Sequence, residues 1–172
     1  MRKIMPAVTA FILAIGSLAV AQDRDTTALN SRKAPDFSLM TPDGKTLRLS
    51  EQKGKVVVLD MWATWCPPCR KSLPHLQSLS SNKELTDKGL VVWAVNQQET
   101  PQTVRAFVGT NNYNFTVLMD ADGRMGQAYL VQGIPTTVIV GRDGTISSVF
   151  IGFGADSTKP LDDAVEKALA QK

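Results

Sequence analysis

The chain has 172 residues, 43% of them hydrophobic and 20% charged, which fits one compact domain rather than two. Its formal net charge is +3, and two of the basic residues, Arg2 and Lys3, sit at the extreme N-terminus. The remainder is close to neutral and leaves no basic footprint for nucleic acid.

Those two residues open a segment that stands apart. Ile4 to Val20 carries no charge, and Ala19-Val20-Ala21 offers a small-x-small cleavage signature before Gln22. The pattern predicts a secretory signal peptide over 1–21, favoured by Pro6 and the Ala-x-Ala end. An uncleaved membrane anchor is the competing reading, because the run approaches the roughly 20 residues a spanning helix needs. Residues 22–33 are polar without helical or strand period and are predicted to form a flexible leader, so the folded domain is placed at 34–172.

Within that domain, Phe37–Met40 and Thr46–Leu49 flank Asp43-Gly44, a turn dipeptide, and predict a β-hairpin. Lys55–Met61 is a nearly continuous apolar run, as expected for a strand covered on both faces of a mostly parallel sheet, and only Asp60 breaks it. From Pro68 to Ser80 the residues Leu73, Leu76 and Leu79 recur at helical spacing, and Pro67 and Pro68 occupy positions where a helix tolerates missing N–H groups. Gly89 has C-cap character, and Leu90–Val95 reads as a second buried strand. Thr100-Pro101 opens a helix to about Asn111, and Phe115–Met119 supplies another strand. Asp122-Gly123 turns into a short helix through Leu130; Thr136–Val140 and Thr145–Ile151 form strands around Asp143-Gly144; and Leu161–Ala170 is an amphipathic last helix. Alternating β-α units that end in an antiparallel hairpin predict an α/β fold with a mixed central sheet flanked by helices.

Beyond the leader, the chain's two cysteines are spaced as Cys66-Pro67-Pro68-Cys69, at the junction of a buried strand with a helix, where C-x-x-C reads as a redox motif. As a structural staple the pair is poorly placed, since closing a four-residue loop is worth only about 2 kcal/mol in the loop-entropy model. A structural zinc needs four ligands, and His75 is the one further typical partner; no metal is expected. His75 follows Cys69 by six residues, about 600° of helical rotation, which turns it off the face of Cys69, Leu73 and Leu76 and predicts a surface histidine. Cys66 precedes the first helical turn and is predicted to be exposed, whereas Cys69 turns inward with Leu73 and Leu76. Cys66 is therefore expected to attack and Cys69 to resolve. Free N–H groups and the helix dipole stabilise a thiolate at Cys66, and the thiolate is the nucleophile.

Asp60-Met61-Trp62-Ala63-Thr64-Trp65-Cys66-Pro67-Pro68-Cys69 resembles the active-site segment of the thioredoxin superfamily, above all its exported TlpA/ResA-like branch. The resemblance extends to Pro74, to Gly133-Ile134-Pro135-Thr136-Thr137, and over roughly Ala34 to Ala170, including the hairpin and an inserted strand–helix unit near Phe115–Leu130. It implies a thioredoxin-like fold and a protein disulfide oxidoreductase whose redox centre is the Cys66/Cys69 pair itself, with no further cofactor. It also implies that Pro135 is a cis-proline, that its loop with Ile134 faces the dithiol and binds substrate backbone, and that Trp65, Pro67 and Pro68 contact partners. Asp60 matches a buried aspartate that assists proton removal from the inner thiol. Glu99 falls near an acidic position of the branch, with a solvent-facing carboxylate as the equal alternative. Two departures concern proton handling: position 67 is Pro where one branch has Glu, and Ala94 stands where thioredoxin has a lysine. Trp62 and Trp93 read as core.

Because Pro67 and Pro68 remove two nearby backbone donors, the Cys66 thiol is expected nearer thioredoxin's pKa of about 7 than DsbA's of about 3.5, so the dithiol should be a reductant. The substrates implied are protein thiols and disulfides outside the cytoplasm, among them apocytochrome c in the periplasm, with electrons from a membrane thiol donor. A DsbA-type oxidase or isomerase is the nearest alternative. A thiol peroxidase would need proline at 59 and threonine at 63, where the chain has Leu59 and Ala63. A copper-binding chaperone would need a further ligand that His75 does not offer, and a redox-silent adaptor has no need of two cysteines at a helix mouth.

Overall fold

The computed structural model describes residues 26–171. The predicted signal peptide and the start of the leader lie outside them. Hydrogen bonding joins the strands β1 (Ser38–Met40), β2 (Thr46–Arg48), β3 (Val56–Trp62), β4 (Leu90–Gln97), β5 (Thr116–Asp120), β6 (Thr136–Val140) and β7 (Ile146–Ile151) into one sheet of order β2-β1-β5-β4-β3-β6-β7. β3, β4 and β5 run parallel, while β1, β6 and β7 enter antiparallel to their neighbours. The mixed sheet, the leading hairpin and the inserted β5 agree with the sequence reading.

β3 lies inside the sheet between β4 and β6, and every one of its seven residues is buried. A strand covered on both faces has no polar side, which is why Val-Val-Val-Leu-Asp-Met-Trp shows no alternation. The two faces are nonetheless distinct. Val56, Val58 and Trp62 join a cluster with Cys66, Cys69, Leu73, Leu76 and Leu79. Val57, Leu59 and Met61 pack on the opposite side with Trp93, Val138 and Tyr129. By the period of two, Asp60 belongs to the first face.

That first face is covered by helices α1 (Pro67–Ser81), α3 (Pro101–Thr110) and α5 (Thr158–Ala170). Leu73, Leu76 and Leu79 carry α1 onto the sheet, each worth about 1.5–3 kcal/mol on burial. Two shorter helices complete the layer set: α2 (Lys83–Asp87), which the sequence reading did not separate from the end of α1, and α4 (Arg124–Ala128). α2 starts anew because the Asn82 side chain accepts from Leu85 N–H and breaks the preceding helix with an N-cap of its own.

The segment expected to be a flexible leader differs from that expectation in its described part. Thr26–Leu29 forms a 3-10 turn, Leu29 is 5% exposed within the second core cluster, Ser31 N–H donates to Ile146 carbonyl, and Lys33 bridges Thr145. One leucine that fills the core and a short stretch of backbone pairing at the β7 edge are enough to fix a stretch with no periodicity to reveal it.

Candidate active site

Cys66 and Cys69 are joined as a disulfide at the N-terminus of α1, with Cα atoms 5.3 Å apart. Cys66 is the N-cap, and its sulfur accepts the Cys69 N–H at 3.2 Å. Pro67 and Pro68 have no N–H to offer, so the nearest donor of the first turn reaches the sulfur alone. Cys66 is 2% exposed and Cys69 is fully covered. The expected exposure of Cys66 is thereby corrected: the loop 133–135, which leads into β6 beside β3, packs against it and covers it. Its sulfur lies 3.6 Å from the carbonyl oxygen of Ile134. Trp65 beside it is 65% exposed, and Pro67 is exposed as well.

The loop is held at both ends. The Ile134–Pro135 peptide is cis, Thr136 Oγ1 donates to Gly133 carbonyl at 2.7 Å, and Gly152 N–H donates to Pro135 carbonyl at 2.8 Å. Ile134 and Pro135 are thus brought against the dithiol, with the exposed Ile151 adjoining Gly152 at the end of β7.

Asp60 is 1% exposed, on the sheet face that α1 covers. Thr137 Oγ1 donates to its Oδ1 at 2.7 Å, while Oδ2 has no hydrogen-bond partner among the described residues. Burial pushes this carboxyl from its ordinary 3.8 up to about 7, against the opposing pull of the Thr137 hydrogen bond. Ala94 is its register partner on β4, so no lysine stands beside it there.

Glu99 is one residue that sequence reasoning left open and the fold settles. Its Oε2 accepts from Thr64 N–H and Asn96 Nδ2, both at 2.7 Å, and its Oε1 accepts from Thr64 Oγ1 at 2.5 Å. The carboxylate therefore ties the end of β4 to the turn that delivers Trp65 and Cys66. Arg70 Nε closes the same turn by donating to Thr64 carbonyl at 2.6 Å, and its guanidinium lies 5.6 Å from the Phe107 ring centre. Glu99→Ala leaves Thr64 N–H and a buried amide without an acceptor and is expected to lower unfolding free energy by about 1.5–3 kcal/mol in urea titration. An unchanged midpoint would show that the loop holds without it.

His75, predicted to be a surface residue, is mostly covered: its side chain is 16% exposed, with Nε2 3.0 Å from Asp162 Oδ1 on α5. Rotation about α1 did turn it off the Cys69 face, but α5 packs on the side it turned to. Trp62 and Trp93 are core residues at 0% and 3% exposure. A cavity of about 560 Å³ lined by Lys53, Lys55 and Arg142 opens at the opposite end of β3 and belongs to a different part of the molecule.

A disulfide capping the first turn of a helix, set over a mixed sheet and facing a cis-proline loop, is the arrangement of the thioredoxin-fold thiol–disulfide oxidoreductases. The sequence model of the AhpC/TSA family matches residues 31–149, and the chain belongs to that family. Thioredoxin-like protein YneN of Bacillus subtilis is 41% identical over 124 residues, spanning 70% of this chain and 71% of that protein. Thiol-disulfide oxidoreductase ResA of the same organism is 36% identical over 124 residues, spanning 72% and 68%. A Chlorobium tepidum crystal structure assigned as thiol:disulfide interchange protein DsbE superposes with a TM-score of 0.76 at 33% identity, covering 82% of this chain and 98% of that one. The chain is an enzyme of this ResA/DsbE type, acting on thiols and disulfides through its C-x-x-C pair.

Proposed function

We propose that the enzyme works outside the cytoplasm as a reductant of protein disulfides, with Cys66 as attacking and Cys69 as resolving thiol. The Cys66 thiolate attacks one sulfur of a substrate disulfide, forming a mixed disulfide and releasing the first substrate thiolate. Cys69 gives its proton to Asp60 and attacks Cys66 Sγ. The Cys66–Cys69 bond forms, the bond to substrate breaks, and the second substrate thiolate leaves. Two electrons from a membrane thiol donor then restore the dithiol. Trp65, Pro67, Pro68, Ile134 and Pro135 form the surface on which the substrate chain lies. The charged start and uncharged run of residues 1–21 support export to the periplasm, by a cleaved signal or as an anchor. Resemblance to the TlpA/ResA-like branch supports apocytochrome c as a substrate.

The direction of flow is carried by one observation: two prolines remove their donors from the helix mouth, and Cys69 N–H reaches the Cys66 sulfur without them. A weakly stabilised thiolate favours the disulfide form and makes a reductant. Equilibration with a glutathione or dithiothreitol couple is expected to give a potential near thioredoxin's, about −270 mV; a value near the −120 mV or so of DsbA would assign the enzyme as an oxidase instead. Leu59 and Ala63, both buried, argue against the peroxidase arrangement.

A further inference from the structure

Asp60 and Thr137 are register partners in the antiparallel pairing of β3 with β6. Both are buried, at 1% and 6% exposure, and the Thr137 hydroxyl donates to Asp60 Oδ1 at 2.7 Å. Buried polar atoms are ordinarily paired, yet Asp60 Oδ2 has no hydrogen-bond partner among the described residues. One oxygen of the carboxyl is therefore tied and the other is free, on the sheet face that shares its buried cluster with Cys66 and Cys69.

The terminal torsion of an aspartate is broad and roughly two-fold, so a carboxyl held by nothing would present either oxygen. The Thr137 hydroxyl removes that freedom. It also suits both protonation states. When Asp60 is ionised, Oδ1 accepts the hydroxyl proton and the negative charge is favoured. When Oδ2 has taken a proton, Oδ1 is the carbonyl oxygen of the acid and still accepts the same bond. The hydrogen bond survives the transfer without rearrangement, provided the proton goes to Oδ2. Thr137 is itself fixed, being two residues beyond Pro135 on the strand that starts at the substrate loop, with Thr136 and Gly152 pinning that loop.

We propose that Thr137 is a positioning residue for the resolving step: it holds Asp60 Oδ1, leaves Oδ2 to accept the Cys69 proton, and favours the ionised carboxylate that can take it. The inference rests on the reading of Asp60 as proton acceptor. In the balanced step the Cys69 S–H proton passes to Oδ2, the Cys69 sulfur bonds to Cys66, and the substrate departs as a thiolate. The alternative role for Thr137 is that of a β-branched strand residue whose hydroxyl merely needs an acceptor.

The test uses Thr137→Val, which keeps the shape and removes the hydroxyl, and Thr137→Ser, which keeps the hydroxyl; Thr137→Ala stands in should the valine variant not fold. The Asp60 carboxyl carbon is titrated by NMR in the reduced protein, assigned by its loss in Asp60→Asn, and the single-turnover rate of insulin reduction is followed against pH. Removing the hydroxyl is expected to move both midpoints upward by about one pH unit, with about a fivefold slower step at pH 7. The serine variant should match wild type. Unmoved midpoints in Thr137→Val, or a serine variant that behaves like the valine one, overturn the proposal. If Asp60→Asn flattens the pH–rate profile while Thr137→Val leaves it intact, Asp60 keeps its role and Thr137 loses this one. If Asp60→Asn also changes nothing, the reading of Asp60 fails and the proposal with it.

Discussion

Cys66→Ser is expected to bring insulin-disulfide reduction down to the uncatalysed rate and to form no adduct with substrate, whereas Cys69→Ser, equally inactive in turnover, should accumulate mixed disulfides through Cys66. The asymmetry comes from the helix. Cys66 is the N-cap, receives the Cys69 N–H, and lies between the exposed Trp65 and Pro67. Cys69 is fully covered in the first turn, in one cluster with Leu73 and Leu76. An incoming sulfur need only part the first from the Ile134 carbonyl 3.6 Å away, whereas the second lies behind it in the first turn of α1. Losing the bond itself does little harm, because a four-residue closure contributes about 2 kcal/mol of a typical 5–15. Both variants should therefore fold, and non-reducing gels and mass spectrometry of material captured in cells would read the outcome. Adducts that form on Cys69 as readily as on Cys66 would reverse the assignment. The proteins captured by Cys69→Ser would identify the physiological substrates and the electron donor together.

Asp60→Asn is expected to stabilise the oxidised protein, increasingly so with rising pH. The folded-state carboxyl titrates near 7 because burial penalises its charge, against an ordinary value of 3.8. A group whose folded pKa is raised contributes stability that is complete below the unfolded value and is lost as pH rises through the folded one. The window here runs from about pH 4 to about pH 7. Above it the wild-type protein carries a buried, half-paired carboxylate, at a cost of up to about 4 kcal/mol relative to pH 4. Asparagine has the same shape and cannot ionise, so the difference between variant and wild type in urea titrations should be near zero at pH 4 and approach that figure at pH 8. A difference that does not change with pH would mean that the carboxyl titrates normally. Turnover should move the other way, falling in the variant if Asp60 takes the proton of Cys69, so that stability and activity are traded at this position.

Much of this was legible beforehand. The unbroken apolar run of β3, the leucines of α1 at helical spacing and the turn dipeptides at Asp43-Gly44 and Asp143-Gly144 each report on a local preference, and each element falls within a few residues of its expected place. Asp60 was conspicuous for the same reason: a charge inside an apolar strand has few bland explanations. Glu99 carried no such signal. It sits among polar residues in a loop, and nothing in its neighbours shows that Thr64, 35 positions earlier, places an N–H and a hydroxyl within its reach. The coverage of Cys66 by the Ile134 loop and the contact of His75 with Asp162 were hidden in the same way, since a helical wheel tells which way a side chain points and not what has packed there.

Composition and pattern alone established that a buried strand ends at a helix mouth holding two cysteines, because periodicity and spacing are properties of neighbours along the chain. Which oxygen of Asp60 is left free, which acceptor holds the turn before Cys66, and how Leu29 anchors the stretch before the first strand were settled when β3, β4, β6 and β7 came together. Hydrogen bonds and burial act over a few ångströms in space whatever the separation in sequence, and no local pattern encodes them.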